Sequence, residues 1–324
     1  MRKFRFLCLL LTLCLCLCSC KSSDYSKAKE LFDAGEYQQA KEAFVALADY
    51  EDSAEMAKKC DYQLGLKLLE AGNFTDAKEA FAALGDYEDA PELAKKCDYQ
   101  LAKKLLEEGK NQDALDLLRN LGDYEDSQDL VVECVCSLAR SAADKGHLPE
   151  AVALLADLYQ YAPAEDLFCT LLMEEITNNY MANVLLAQEE WGDYLVVWLK
   201  AFQANANKTA VGATISIPKV DTSAPQVIAI QRYMSKANES IDLVREAYNE
   251  EVLKVCGEDI STLVTTIFQS TETIDKQFKN LDSWATTMLF YGIQEKNAAK
   301  ANNTFNQALY NIQDALDVVM KNRA

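Results

Sequence analysis

The sequence predicts an all-α chain, a row of helical hairpins followed by an antiparallel three-helix bundle, and three observations carry that expectation. Gly35, Gly72, Gly109 and Gly146 recur every 37 residues, in step with the runs Asp49-Tyr50-Glu51-Asp52, Asp86-Tyr87-Glu88-Asp89 and Asp123-Tyr124-Glu125-Asp126 and with Cys60, Cys97 and Cys134. Within each unit the apolar residues keep helical spacing. Late in the chain, three further stretches alternate apolar spacings of four and three. An array of near-identical units is a scaffold for binding rather than for chemistry.

The chain opens with Arg2, Lys3 and Arg5 before an apolar run of 13 residues, Phe6 to Cys18. A membrane-spanning helix needs roughly 20 residues, so a secretory leader over 1–19 is the better reading, with an uncleaved short anchor as the alternative. Leu17-Cys18-Ser19-Cys20 resembles the bacterial lipobox, although Cys18 is unusual at its place. The resemblance implies that Cys20 is lipidated on its sulfur and becomes the first mature residue, with 20–23 as a tether, on the extracytoplasmic face of a bacterial cell membrane. Two acyl chains suffice for stable anchoring.

Removing the leader takes away three basic residues and no acidic one, leaving 29 basic against 51 acidic residues and a formal charge of −22. A field of that sign repels phosphate backbones and anionic headgroups, which disfavours nucleic acid as a partner and polybasic membrane docking. Six cysteines remain beyond the lipobox: Cys60, Cys97, Cys134, Cys136, Cys169 and Cys256. Three hold the same place in successive units, and Cα atoms more than about 7 Å apart are not bridged, so small buried residues are expected.

Each unit reads as two helices. Tyr37, Ala40, Phe44 and Leu47 fall at i, i+3, i+7 and i+10, one apolar stripe. The glycine ahead of the stripe suits the left-handed residue that ends the preceding helix. Asp52 with Glu55, Asp89 with Glu92, and Asp126 with Asp129 have the spacing of capping boxes, and Pro91 sits in a first turn where its missing N–H costs nothing.

This pattern resembles the tetratricopeptide repeat, a unit of about 34 residues with a small residue on the first helix, a turn glycine and then an alanine and an aromatic on the second. The matching small residues are Ala28, Gly65, Ala102 and Ala139, the alanines Ala40, Ala77 and Ala114, and the large residues Phe44, Phe81 and Leu118. Three extra residues per unit and the acidic run in place of a closing proline are the departures. The resemblance implies a tetratricopeptide-like α-solenoid over 24–203, with a concave face formed by residues beside the small position: Tyr25, Tyr62 and Tyr99 three before it, and Lys29, Leu66, Lys103 and Arg140 one after it. Tyrosines beside cations can hold an extended peptide or an anionic group. The alternative is that these tyrosines pack between helices.

The repeat decays through a fourth unit, with Pro149, Ala151 and Leu155, and a fifth reaching Phe202, whose expected turn is Trp191-Gly192-Asp193-Tyr194. Terminal repeats diverge because one face has no neighbour. Residues 204–226 break the helical period and read as a linker, with a short strand open at Thr214-Ile215-Ser216-Ile217. The bundle, 227–324, rests on Ile230, Met234, Ala237, Ile241, Val244 and Tyr248; on Ile260, Val264, Ile267, Thr271, Ile274, Phe278 and Leu281; and on Phe305, Leu309, Ile312, Leu316 and Val319.

Motifs of chemistry are sparse. His147, the one histidine, has no recognisable partner; no phosphate loop, nucleophile elbow or metal-type cysteine pair is present. The acidic runs lack the central glycine and ligand offsets of a calcium loop. The sequence therefore points to a non-enzymatic, cofactor-free lipoprotein that binds another envelope protein or an extended peptide through its repeats. Two other readings stay open: a solute- or signal-sensing, transport-associated lipoprotein with its ligand site in the C-terminal bundle, and an envelope hydrolase using unpaired carboxylates.

Overall fold

The computed structural model describes residues 21–209, 211, 213–293, 300 and 302–321, with the side chains of 293 and 319–321 excepted. The leader and Cys20 lie outside the described residues. The protein is all-helical, and no strand occurs among the described residues. No described helix is long and apolar enough to cross a membrane. The chain divides into two compact units between Cys134 and Val135.

In the first unit, α1 (21–33) precedes α2 (Tyr37–Leu47), α3 (Ser53–Glu70), α4 (Phe74–Leu84), α5 (Ala90–Glu107) and α6 (Asn111–Leu121), and α7 (Ser127–Asp144) contains the division. From α2 to α6 each helix packs on the next. Eleven-residue helices alternate with eighteen-residue ones. The long helices end as expected: Gly35, Gly72 and Gly109 have φ of 77°, 75° and 72°. The following N–H reaches back five residues, from Glu36 to Leu31 O at 2.9 Å, Asn73 to Leu68 O at 2.9 Å and Lys110 to Leu105 O at 2.8 Å. That bond defines a Schellman cap and satisfies carbonyls that a helix end leaves orphaned.

The core follows the predicted stripe. Ala28, Ala40, Phe44, Ala77, Phe81, Ala102, Ala114 and Leu118 are wholly buried, as are Cys60, Cys97 and Cys134. Burial pushes those three thiols up to about 11, which keeps them protonated and unreactive at neutral pH. Gly65 has a packing reason: a Cβ there would stand 2.8 Å from Cε1 of the Phe81 ring. Lys41 and Asp61 pair at 2.6 Å, and Lys78 and Asp98 at 2.8 Å, one repeat later. The third unit has Leu115 and Val135 at those positions, both buried.

The short helices leave through a tight turn whose first central residue needs positive φ. Ala48 (φ 53°, ψ −120°), Gly85 (59°, −129°) and Gly122 (61°, −122°) occupy it, and Tyr50 N–H closes on Leu47 O at 3.3 Å. This is the geometry of a type II′ turn, in which glycine is unstrained and alanine is not. Ala48→Gly is therefore expected to stabilise the first unit by about 1 kcal/mol, seen as a higher urea midpoint at unchanged slope.

The second unit contains α8 (Leu148–Ala156), α9 (Ala162–Glu174), a π-helical segment (Glu175–Met181), α10 (Ala182–Lys208), α11 (Pro225–Ala247), α12 (Glu250–Cys256), α13 (Glu258–Lys279), α14 (Leu281–Ile293) and α15 (Asn303–Lys321). All three predicted seams turn inward: Ile230, Ala237, Val244, Val264, Ile267, Ile274, Phe305 and Ile312 are at most 1% exposed. Leu281 and Leu309 are half-buried, and the side chain of Val319 lies outside the described residues.

Three expectations for this region meet a different outcome. The linker 204–226 does not separate compact units, because α11 packs along α10 and also on α8 and the π-helical segment. Residues 218–221, ahead of α11, are pinned instead: Trp198 Nε1 donates to Pro218 O at 2.9 Å, Asp221 N–H to Tyr194 Oη at 2.6 Å, and Val220 N–H to Asp282 Oδ1 at 2.6 Å. Residues 214–217 form no strand. The expected turn at Trp191-Gly192-Asp193-Tyr194 lies inside α10. There Trp191 and Tyr194, three apart, bury one face and stack at 6.0 Å, so burial outweighs the helix-breaking tendency of Gly192.

Candidate functional site

The residues expected to line the concave face sit on the long helices beside the small position, and in the first unit the structure gives them one repeating arrangement. Tyr25, Tyr62 and Tyr99 donate their hydroxyls to the Asp that closes each acidic run, 27 residues later. Tyr25 bonds Asp52 Oδ1, Tyr62 bonds Asp89 Oδ1 at 2.5 Å, and Tyr99 bonds Asp126 Oδ1 at 2.6 Å. Each ring meets the tyrosine of the same run edge-on: Tyr25 with Tyr50 at 5.9 Å, Tyr62 with Tyr87 at 6.0 Å, Tyr99 with Tyr124 at 5.7 Å. Tyr25 and Tyr62 also meet Phe44 and Phe81 edge-on, at 5.8 and 5.9 Å.

The capping boxes give way to this latch. Asp52 and Asp89 precede α3 and α5 but make no side-chain cap bond, and their carboxylates take phenolic protons instead. A hydroxyl bonded to a carboxylate is hard to ionise, because the phenolate would face a like charge. The Tyr25 and Tyr62 hydroxyls are pushed up to about 12, first by that bond and then by desolvation; Tyr99 is raised for the same reason, partly opposed by Lys103.

A folded-state pKa above the unfolded value of about 10 contributes stability that is complete below pH 10 and is lost as pH rises toward 12. The urea midpoint is accordingly expected to stay level up to about pH 10 and to fall between about 10 and 12. In Tyr25→Phe with Tyr62→Phe that alkaline fall should be smaller, which stopped-flow measurements at each pH would read.

The tyrosine hydroxyls are therefore engaged within the chain, and the charges beside them are what face outward. Lys29 and Lys103 are exposed, and their ammonium groups stand 5.6 and 5.3 Å from the Tyr25 and Tyr99 ring centroids. Lys103 Nζ also donates to Tyr99 Oη at 3.4 Å. Leu66 holds the corresponding place between them and is half-buried against the core that contains Phe81. Arg140 belongs to the second unit, where its Nη1 pairs with Glu174 Oε2 at 2.6 Å. The reading of these tyrosines as helix-packing residues describes their contacts.

Two concavities of the second unit carried no sequence signal. One, of about 810 Å³, is lined by Arg245, Tyr248, Lys254 and Phe268 among others, with the Arg245 guanidinium 4.5 Å from the Phe268 ring centroid and 3.7 Å from Glu272. The other lies between α13 and α15. The first is built within one stretch, from the end of α11 through α12 to the start of α13, and the second from helices that lie apart in sequence. His147 is exposed, 3.5 Å from Glu150, and its backbone N–H caps α7 at Ala142 O. Among the described residues no group of three or more histidine, cysteine or carboxylate side chains converges as a metal site would. Comparison of the chain with models of known families, with curated proteins and with solved structures found no match.

Proposed function

We propose that the chain is a lipoprotein anchored through Cys20 on the extracytoplasmic face of a bacterial membrane, non-enzymatic and without a cofactor. On this reading its first unit is a tetratricopeptide-like α-solenoid that binds another envelope protein or an extended peptide, and the C-terminal helices form a bundle. The observation that supports it is the threefold repetition of one arrangement, Tyr–Asp latch and edge-on ring pair, at 37-residue intervals. Latched rings present a rigid wall, so a partner meeting it forfeits little side-chain entropy in the protein. Lys29 and Lys103 add positive charge at two of the three positions, in a chain of formal charge −19. Local cations on an acidic protein select an acidic or carboxylate-bearing segment over neutral ones.

The test is photocrosslinking in intact cells from residues 33 and 107, exposed and one turn on from Lys29 and Lys103 along the same helices, with Lys95 on the same unit as a control position. Lys29→Glu combined with Lys103→Glu is expected to abolish the crosslinked product while circular dichroism stays unchanged. Equal yield from the reversed variant, or the same product from position 95, sinks the reading. Cys20→Ala is expected to move the protein from the membrane to the soluble fraction, and unchanged sedimentation would refute the anchor. The second reading, a solute site among the C-terminal helices, draws support from the concavity around Arg245 and Phe268.

A further inference from the structure

The groove between α13 and α15 encloses about 420 Å³, and none of the residues lining it carries a charge. In a chain that is 26% charged, that absence is selective. Gln269, Ser270 and Thr273 come from α13, and Thr304, Gln307 and Asn311 from α15. A helix face that only needs to be wet is ordinarily built from Glu and Lys pairs four apart, which favour the helix. Here α13 carries threonines, which lose side-chain freedom in a helix and weaken it. Its charged residues Glu258, Asp259, Glu272, Asp275, Lys276 and Lys279 do not line the groove.

The polar groups are held in a defined state. Thr266 and Thr273 donate their hydroxyl protons to the carbonyls of Thr262 and Gln269, each at 3.0 Å, so toward the groove they offer lone pairs. Gln307 Nε2 donates to Asn311 Oδ1 at 2.9 Å, which orients both carboxamides. Ser270 is 5% exposed, borders the groove and has no hydrogen-bond partner among the described residues. A hydroxyl at the groove wall that no group of the chain engages can exchange hydrogen bonds with a ligand hydroxyl.

These groups discriminate by what they lack. A charged ligand would lose hydration and find no counter-charge, and an apolar one would strand the carboxamides. A ligand dense in neutral hydroxyls meets both conditions, since carboxamides donate and accept at once. We propose that this groove binds a neutral saccharide, with Gln269, Ser270, Gln307 and Asn311 exchanging hydrogen bonds with its hydroxyls. The inference is independent of the repeat-array reading and stands if that reading fails.

The test is saturation-transfer NMR of the full chain with chitotriose, maltotriose and cellotriose, with triserine and a sulfated disaccharide as controls. At least one neutral trisaccharide is expected to bind in the millimolar range, and Thr273→Ala, at a half-buried position, with Gln307→Ala, at an exposed one, to weaken it about tenfold. Gln307→Lys should weaken it as well, with the helical signal retained in both variants. Binding by none of the three sugars, affinity undiminished in both variants, or equal transfer to triserine or the sulfated sugar overturns the proposal.

Discussion

Phe81→Ala is expected to destabilise the first unit by about 3–5 kcal/mol, the cost of removing a large, fully buried ring together with the cavity it leaves. Phe81 is 0% exposed and sits where three elements meet. Its ring stands edge-on to Tyr62, fills the space above Gly65, and lies in one core with Ala77, Ala90 and Cys97. Small residues and larger ones such as Tyr62, Leu66 and Leu93 surround it, and side chains packed to interior density relax only partly into a void. Phe81→Leu is the discriminating control. Leu118 occupies the same register one repeat later and is also fully buried, in a repeat that has Ala102 where this one has Gly65. Leucine should therefore cost about 1–2 kcal/mol. Urea denaturation followed by circular dichroism measures both, and a Phe81→Ala loss under about 1 kcal/mol would contradict the packing described for this unit.

Trp284→Ala should be as damaging to the second unit, about 3–5 kcal/mol, and for a reason that reaches across its helices. Trp284 is 2% exposed. Its ring stacks on Trp191 of α10 at 5.2 Å and meets Phe278 of α13 and Phe305 of α15, each at 5.4 Å. Its Nε1 donates to Asn302 Oδ1 at 3.0 Å. One side chain thus ties α10 to the helices that follow residue 226. If those helices formed a bundle independent of α10, the truncation would leave the fluorescence of Trp191 and Trp198 unaltered. The expected result is a loss of stability together with a red shift of that emission, as both rings meet more water. Trp284→Phe, which retains an aromatic contact, should recover most of the stability.

The repeat period was legible because it is written in local chemistry. Gly35, Gly72 and Gly109 cap helices by their own backbone freedom, and the buried alanines and phenylalanines recur at the spacing of a single helix. The seams from Ile230 onward were legible for the same reason. The candidate site was only half legible. Its residues were found by register, yet register says which helix face a tyrosine occupies and nothing about the carboxylate it will meet there. Arg140 has the right register and a different partner, Glu174.

By itself, then, the sequence determined that the chain is helical, where its repeats begin and which faces turn inward, since those follow from period, propensity and the exclusion of apolar surface from water. Tertiary structure alone decided what the polar groups do. Asp52, Asp89 and Asp126 have the spacing of helix caps, but a phenol delivered from the preceding long helix takes their carboxylates. Residues 204–226 have the composition of a free linker, but Trp198, Tyr194 and Asp282 hold Pro218, Val220 and Asp221 in place. The physical reason is one of range. Apolar burial needs only a face, whereas a hydrogen bond needs a partner within about 3 Å, and where that partner stands is set by the fold.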